Sequence, residues 1–521
     1  MKLVPVSRWG LLHCVVVLLS MRSRIVTSAL KAHSHRNIRG ILEETHNNGV
    51  SSDQRRRLDY TVKKIVIQRR SIGESISFST KNDLIVRLGD SSKFKPMSEH
   101  FYCYHSVEGS EAFADYLVKE GQKKRFKGLL VEKVDDIGKS HEGKNMYALH
   151  LTGNGARSAN TKKGILFIVS GVHPREYAPP QLLSLWLTML VDAYGNDPDL
   201  SAIVDHTDIH VILQANPDGR EIAQAEDSPI QRKNTNRHLD LESTKGCAES
   251  SRGVDLNRNW PVDSPDTFNW RTSTSHTSDD ICDTTFYGDP KTGQEKEILA
   301  MVNYANRIFP DGHDKTNGIF LDMHSYGSTI GWPWGDSSST PLHETEYQVL
   351  ANRFKDISGY WDISSLYDTS GSSDDYFYSE KGIMSMLLEV GGCWTSYVGN
   401  NIFETNCMEG ENPGSQNFHK DCNTFKKELV SDILPLLTYT ARVSSLPRVL
   451  PSGPHIVEVS ANVEDGVLQV EANVLKIKSA VAEIRISIDI HPYDPAGLGP
   501  SFFMGTMDIT EGLHGSYVGT F

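Results

Sequence analysis

Two apolar runs in this chain stop at metal-binding side chains, and that coincidence narrows the folds open to it. Gly164-Ile165-Leu166-Phe167-Ile168-Val169-Ser170-Gly171 reads as a buried strand, and His173-Pro174-Arg175-Glu176 follows almost at once. A second run, Gly318-Ile319-Phe320-Leu321-Asp322-Met323-His324, also ends in a histidine. Two side chains three residues apart on the turn after a strand can both reach one ion. In an α/β protein such strand ends meet at one edge of the sheet, where these folds place ligands. A His173, Glu176, His324 set with one open position suits catalytic rather than structural zinc. Alone, His324 reads equally well as a satisfied structural histidine, so the other strand ends have to be weighed with it.

Strands and helices alternate around these runs. Helical spacing occurs at 109–120, 182–190, 295–308 and 427–443, with another helix starting at 349–354. Short apolar strands are expected at 147–151, 209–213 and 384–390, and Asn216-Pro217-Asp218-Gly219 reads as a turn. This alternation predicts one α/β domain over 98–442. A linker at 443–454 leads to a segment whose apolar period is two. There Ile484, Ile486, Ile488 and Ile490 alternate with Glu483, Arg485, Ser487 and Asp489. The pattern predicts a small antiparallel, sandwich-like accessory β domain over 455–521.

At the N-terminus, Lys2 and Arg8 precede an apolar run at 11–19, and Thr27-Ser28-Ala29 offers small residues for cleavage. A signal peptide over 1–29 is expected, and with it secretion or an endomembrane lumen. The run is short for a membrane span, so no stable span is expected once the signal is removed; a signal anchor is the alternative. Residues 30–97 read as a polar, propeptide-like extension, with strand-like alternation at 60–86. The net charge of −13 argues against nucleic acid as a partner. Apart from Cys14, six cysteines remain, at 103, 247, 282, 393, 407 and 422. An even set suits disulfides, and no Cys-x-x-Cys points to thiolate zinc.

Other polar residues stand where chemistry could use them. Glu389 closes an apolar strand before two glycines, as a cap partner or as a base for a metal-bound water. Arg232, Asn257 and Arg258 lie in loop-like sequence. An arginine there could stabilise an oxyanion or clamp a carboxylate, or simply pair with surface acids. Tyr367 precedes a Gly/Ser-rich stretch suited to a mobile rim.

In family order, Gly138-Lys139-Ser140-His141-Glu142-Gly143, His173-Pro174-Arg175-Glu176, Asn216-Pro217-Asp218-Gly219, Arg232, Asn257-Arg258-Asn259-Trp260, His324-Ser325-Tyr326, Tyr367 and Glu389 together resemble the zinc metallocarboxypeptidases of the pancreatic, funnelin (M14) type. The resemblance runs from near Phe101 to near Val443. It implies a mixed central β-sheet flanked by helices, and one zinc ion on His173, Glu176 and His324. It further implies Glu389 as general base and Arg232 polarising the scissile carbonyl. Asn257, Arg258 and Tyr367 would hold the substrate's terminal carboxylate, and Arg175 an upstream subsite. Cys247 and Cys282 fall where the family has a disulfide; the pairing of the other four cysteines is left open. The implied substrates are peptide or protein C-termini, cut by a monomer. Asp374, by the same resemblance, faces the pocket for the C-terminal side chain and favours Lys or Arg. The rivals are a zinc deacylase or amidase of related fold, and a catalytically weak peptide-binding homologue. Departures from the pattern include Tyr376, where the family usually has Trp, and a long segment at 396–423.

Overall fold

A computed structural model describes residues 94–452, except 98–101, 155–162, 226–229, 238–245, 249–250, 263–275, 290–292, 310–317, 337–338, 364–368, 393–394, 399–400, 406–417, 419–421 and 449; it also describes strands at 15–21, 455–464, 467–475, 484–490, 509–511 and 516–520. The chain divides into two compact units, one of residues 76–451 and the other of 1–75 with 452–521.

The larger unit is built on eight strands: β1 (Leu129–Lys139), β2 (Asn145–Gly153), β3 (Gly164–Ser170), β4 (Thr207–Ile212), β5 (Ile319–His324), β6 (Thr329–Gly331), β7 (Trp361–Ile363) and β8 (Met384–Glu389). They are ordered β1-β2-β4-β3-β5-β8-β6-β7. The centre is parallel, with β3 beside both β4 and β5, and β5 beside β8. Antiparallel pairs β1–β2, β2–β4 and β8–β6 make the sheet mixed. The register sets His324 of β5 opposite Glu389 of β8, so the two chemically loaded strand ends lie side by side.

Burial on both faces explains why β3 is continuously apolar from Ile165 to Val169 rather than alternating. Phe167 and Val169 of β3 enter a cluster with Ile212, Ile298, Met301, Tyr304, Phe320 and Phe377. Phe320 and Phe377 stack with centroids 3.6 Å apart. The helix Ala178–Ala193 starts with Pro179 and Pro180 in its first turn, where no intrahelical N–H is needed. It is buried along nearly its whole length. Trp186 Nε1 ties it to Thr438 Oγ1 of the helix Val430–Val443 at 3.1 Å.

The segment 216–219 turns out to be a helix start rather than a turn. Asn216 Oδ1 accepts from Gly219 N at 3.0 Å and caps the helix Pro217–Gln224. Buried Asp218 then accepts from Ser140 Oγ at 2.9 Å and from Glu142 N at 2.8 Å, joining two sequence motifs. The Gly/Ser-rich stretch after Tyr367 is not a mobile rim from 369 onward. Residues 369–378 are buried, and Ser373–Lys381 is a helix. Asp375 anchors this helix by accepting from the backbone of Gly335 at 3.0 Å and Asp336 at 3.1 Å.

Cys247 pairs with Cys282, and Cys103 with Cys422 across 319 residues; their Cα separations of 5.1 and 5.6 Å suit disulfides. Cys393 and Cys407 lie outside the described residues.

In the smaller unit, Val15–Met21 runs antiparallel to Ile484–Ile490. A four-stranded antiparallel sheet orders His455–Glu464, Val467–Leu475, Ser516–Thr520 and Ile509–Glu511. The alternating strand at 484–490 therefore takes its partner from the N-terminal apolar run and not from this sheet. The cleavage point expected at 27–29 and the strand-like alternation at 60–86 lie outside the described residues. Among the described residues, no helix is long and apolar enough to cross a membrane.

Candidate metal centre

Three chain segments deliver the ligand set. After β3, Gly171 takes φ of +69° where the chain crosses Gln214; a Cβ there would lie 2.8 Å from Gln214 Oε1. The turn that follows brings His173 and Glu176 to one side. His324 arrives from the end of β5. One donor atom from each of these three buried residues lies within 4.8 Å of the others. His173 Nδ1 is 2.8 Å from Glu176 Oε1, and His324 Nδ1 is 3.1 Å from Glu176 Oε2. The two Nδ1 atoms face each other at 3.0 Å.

The chemistry of this donor set fits a zinc ion. Both far ring nitrogens are held by carboxylates: His173 Nε2 by Asp255 Oδ1 and His324 Nε2 by Asp322 Oδ2, each at 3.0 Å. An Nε2–H donated to a carboxylate leaves the Nδ1 lone pair directed inward, the arrangement that orients histidine ligands. Two inward lone pairs and a carboxylate need a positive charge between them. The same demand appears in the titration of the groups. Burial by itself would raise Glu176, yet His173 and His324 hold its carboxyl far below the usual range. Burial by itself would lower His324, yet Asp322 and Glu176 hold its imidazole well above the usual value. A bound cation answers the same need as that proton. Glu389 stands at the end of β8 beside this corner, and desolvation together with nearby Glu176 pushes its carboxyl up to about 8.

Asp255 is the hub of the opposite wall. Besides His173, its carboxylate accepts from Asn257 N at 3.0 Å and from Arg232 Nε at 2.9 Å. Burial opposes its charge, but Arg232 and His173 hold its carboxyl well below the usual range. Arg232 is thereby aimed at the corner, with Nη1 3.4 Å from His173 Nδ1. Asn257 Nδ2 lies 3.4 Å from His324 Nε2, and Asn257 Oδ1 accepts from Ser373 N at 2.9 Å. Buried Arg258 donates through Nε to His276 O and through Nη1 to Asn257 O at 2.6 Å. Gly371 passes so close to it that a Cβ would meet Arg258 O at 2.4 Å, which fixes glycine there.

The sequence-predicted residues are thus largely gathered at one place: His173, Glu176, His324, Glu389, Arg232, Asn257 and Arg258 share the edge at the ends of β3, β5 and β8. Arg175 lies at its border, its guanidinium 4.2 Å from the Phe418 ring centre, with its pKa lowered by burial and by Arg232. Asp374 is buried at the start of the helix Ser373–Lys381, and burial raises its carboxyl. Tyr367 lies outside the described residues. Sequence reasoning missed Asp255 and Asp322. Asp322 had one signal: two residues before His324 on a strand, it shares that histidine's face.

A zinc carboxypeptidase family profile matches residues 130–403, more than half of the chain, and the chain belongs to that family. Carboxypeptidase A1 of Sus scrofa is 27% identical over 292 residues, covering 54% of this chain and 61% of that protein. Metallocarboxypeptidase A of Trichophyton rubrum is 27% identical over 315 residues, covering 58% and 67%. The chain thus spans about three fifths of the first of these curated relatives. Among solved structures, thrombin activatable fibrinolysis inhibitor superposes with a TM-score of 0.52 at 20% identity, covering 71% of this chain and 81% of that one, a likeness of fold.

Proposed function

We propose that the protein is a zinc-dependent exopeptidase that hydrolyses the C-terminal peptide bond of peptides or proteins, with a preference for Lys or Arg at the end. The observation that carries this reading is the meeting of the His173–Glu176–His324 corner with Glu389, Arg232 and the Asn257–Arg258 pair at one sheet edge. When bound, zinc supplies Lewis-acid chemistry that acidifies a water and polarises the scissile carbonyl. Glu389 accepts that water's proton and later returns it to the departing amine nitrogen. Desolvation raises its carboxyl, which makes it the stronger proton acceptor. Arg232, braced by Asp255, offers N–H donors to the carbonyl oxygen as charge builds there. Asn257 and Arg258 receive the terminal carboxylate, Tyr367 closes over it, and Arg175 contacts the chain upstream. Such a clamp explains exopeptidase action, since an internal bond has no neighbouring carboxylate to offer.

Asp374 supports the basic preference, because a buried carboxylate gains most from a cationic partner. The two disulfides and the N-terminal apolar run support secretion or an endomembrane lumen. The test is release of the C-terminal residue from blocked dipeptides, with and without chelator. Chelation should abolish release and zinc restore it. Release unaffected by zinc removal would reject the reading.

A further inference from the structure

Two arginines of the site lie against one aromatic ring. The centre of the Phe286 ring is 5.3 Å from Arg232 Cζ and 5.5 Å from Arg258 Cζ. Both distances fall within cation–π reach, and that attraction grows where water is excluded. Water is largely excluded here: Arg258 is 1% exposed and the Arg232 side chain 9%. Asp255 acts electrostatically on both guanidiniums and grips Arg232 directly. The negative face of the ring adds a second attraction for the same pair.

A dedicated loop delivers this ring. Ser278 N donates to Phe286 O at 3.0 Å, and Gly288 N to Ser278 O at 3.1 Å. Asp283 Oδ1 accepts from Phe286 N at 2.6 Å and from Thr285 N at 2.7 Å. The Cys247–Cys282 disulfide closes the base of the loop, and Lys233, the neighbour of Arg232, donates to Asp283 O. His276 packs edge-on against Phe286, with ring centres 5.1 Å apart, and gives its carbonyl to Arg258 Nε. The next residue, Tyr287, gives its carbonyl to Asp255 N at 2.8 Å. Phe286 is only half-buried and does not belong to the apolar cluster around Phe167. Filling the core is therefore not what places it.

We propose that Phe286 is a positioning residue, whose ring holds the guanidiniums of Arg232 and Arg258 for the carbonyl oxygen and the terminal carboxylate of the substrate. This rests on the carboxypeptidase reading above. An acid at 286 would also attract both arginines, but it would neutralise them and repel the two anionic groups they have to meet. A ring holds them and leaves their charge to the substrate. One side chain thereby links oxyanion stabilisation to carboxylate binding.

The test measures kcat and KM separately for the blocked dipeptide that the wild-type full chain cleaves fastest, with zinc content read in each sample. Phe286→Leu removes the ring and stays apolar; Phe286→Tyr keeps the ring. Phe286→Leu should lower kcat and raise KM, with kcat/KM down by about tenfold or more at unchanged zinc. Phe286→Tyr should stay within about threefold of wild type. In an Arg232→Ala background, Phe286→Leu should no longer lower kcat, because the group it acts through is gone. Site-specific replacement of Phe286 by a ring-fluorinated phenylalanine keeps the shape while removing the negative face. It should lower kcat/KM in the same direction, and an unchanged value would overturn the proposal even if Phe286→Leu does not fold. A Leu variant with wild-type kcat and KM and only a lower melting temperature would overturn it, since the ring would then serve packing alone. Equal losses in the Leu and Tyr variants would overturn it too, as would losses in step with lost zinc. No release by the wild-type chain from any dipeptide at full zinc would instead reject the carboxypeptidase reading itself.

Discussion

The metal corner and the neighbouring buried acids Asp322 and Asp374 use the same residue types, yet they are finished differently. At the corner, each histidine is held from behind by a carboxylate, and Glu176 is fixed by two imidazoles and by Ser325 N at 3.1 Å. Beside it, the buried acids Asp322 and Asp374 each keep an oxygen unanswered. The contrast teaches that one region is rigidly preorganised for a cation of fixed position, whereas the other keeps buried acceptors without donors. Rigidity supports chemistry, because ligand geometry must not relax. Unsatisfied acceptors support selectivity, because only a substrate with matching donors removes their cost.

Substitutions at the two regions should therefore separate cleanly. The largest effect is expected at the corner. Glu176→Ala should lower zinc affinity by more than the roughly 10–100-fold that an outer partner costs, and turnover should vanish with the metal. Metal analysis after dialysis checks this; full occupancy would break the contrast. Asp255→Ala comes next, with zinc affinity down by about 10–100-fold and kcat reduced further because Arg232 and Asn257 lose their anchor. Asp374→Ala, by contrast, should leave zinc content unchanged and act only on substrate ranking.

Changes remote from both regions should move stability and neither of those readouts. Replacing Cys103 and Cys422 by Ser removes a link across 319 residues and should cost about 2–5 kcal/mol in chemical denaturation, with kcat near normal. The smallest effect concerns acid. Burial, with His150 stacked 4.4 Å away, lowers His210 to about 3. Between about 6.5 and 3 the unfolded chain binds a proton there that the folded chain does not. Stability is thus present above the unfolded pKa and is lost as pH falls through that window. At pH 5 the loss is on the order of 2 kcal/mol. His210→Gln should flatten melting temperature between pH 7 and 5 relative to wild type; an unchanged slope would remove this group from the account.

Much of the corner was legible in the sequence because long buried strands announce themselves. Runs such as 165–169 and 319–321 are apolar on both faces, and the polar residues that follow such a run mark the sheet edge. The carboxylates behind the histidines were not legible. Asp255 looks like any other acid in a chain of this charge, and only the fold brings it to an imidazole; Asp322 had no signal beyond its place two residues before His324. The strands Thr329–Gly331 and Trp361–Ile363 have three residues each, too few to carry a period. The helix Ser373–Lys381 was hidden by a Gly/Ser-rich start, whose burial depends on Asp375 reaching the distant backbone of Gly335 and Asp336. Pairing of Cys103 with Cys422 followed no local signal, since the partners come from opposite ends of the unit.

The central claim is that a preorganised zinc corner works with Glu389 as the proton carrier. Steady-state release of a C-terminal residue by Glu389→Gln, with zinc measured in the same sample, tests it most directly. The amide keeps the shape of the side chain but cannot take a proton from water. Zinc should stay at one ion per chain while kcat falls by about 10²–10⁴-fold, the range expected when a general base is lost. Full zinc with near-normal kcat would contradict the account.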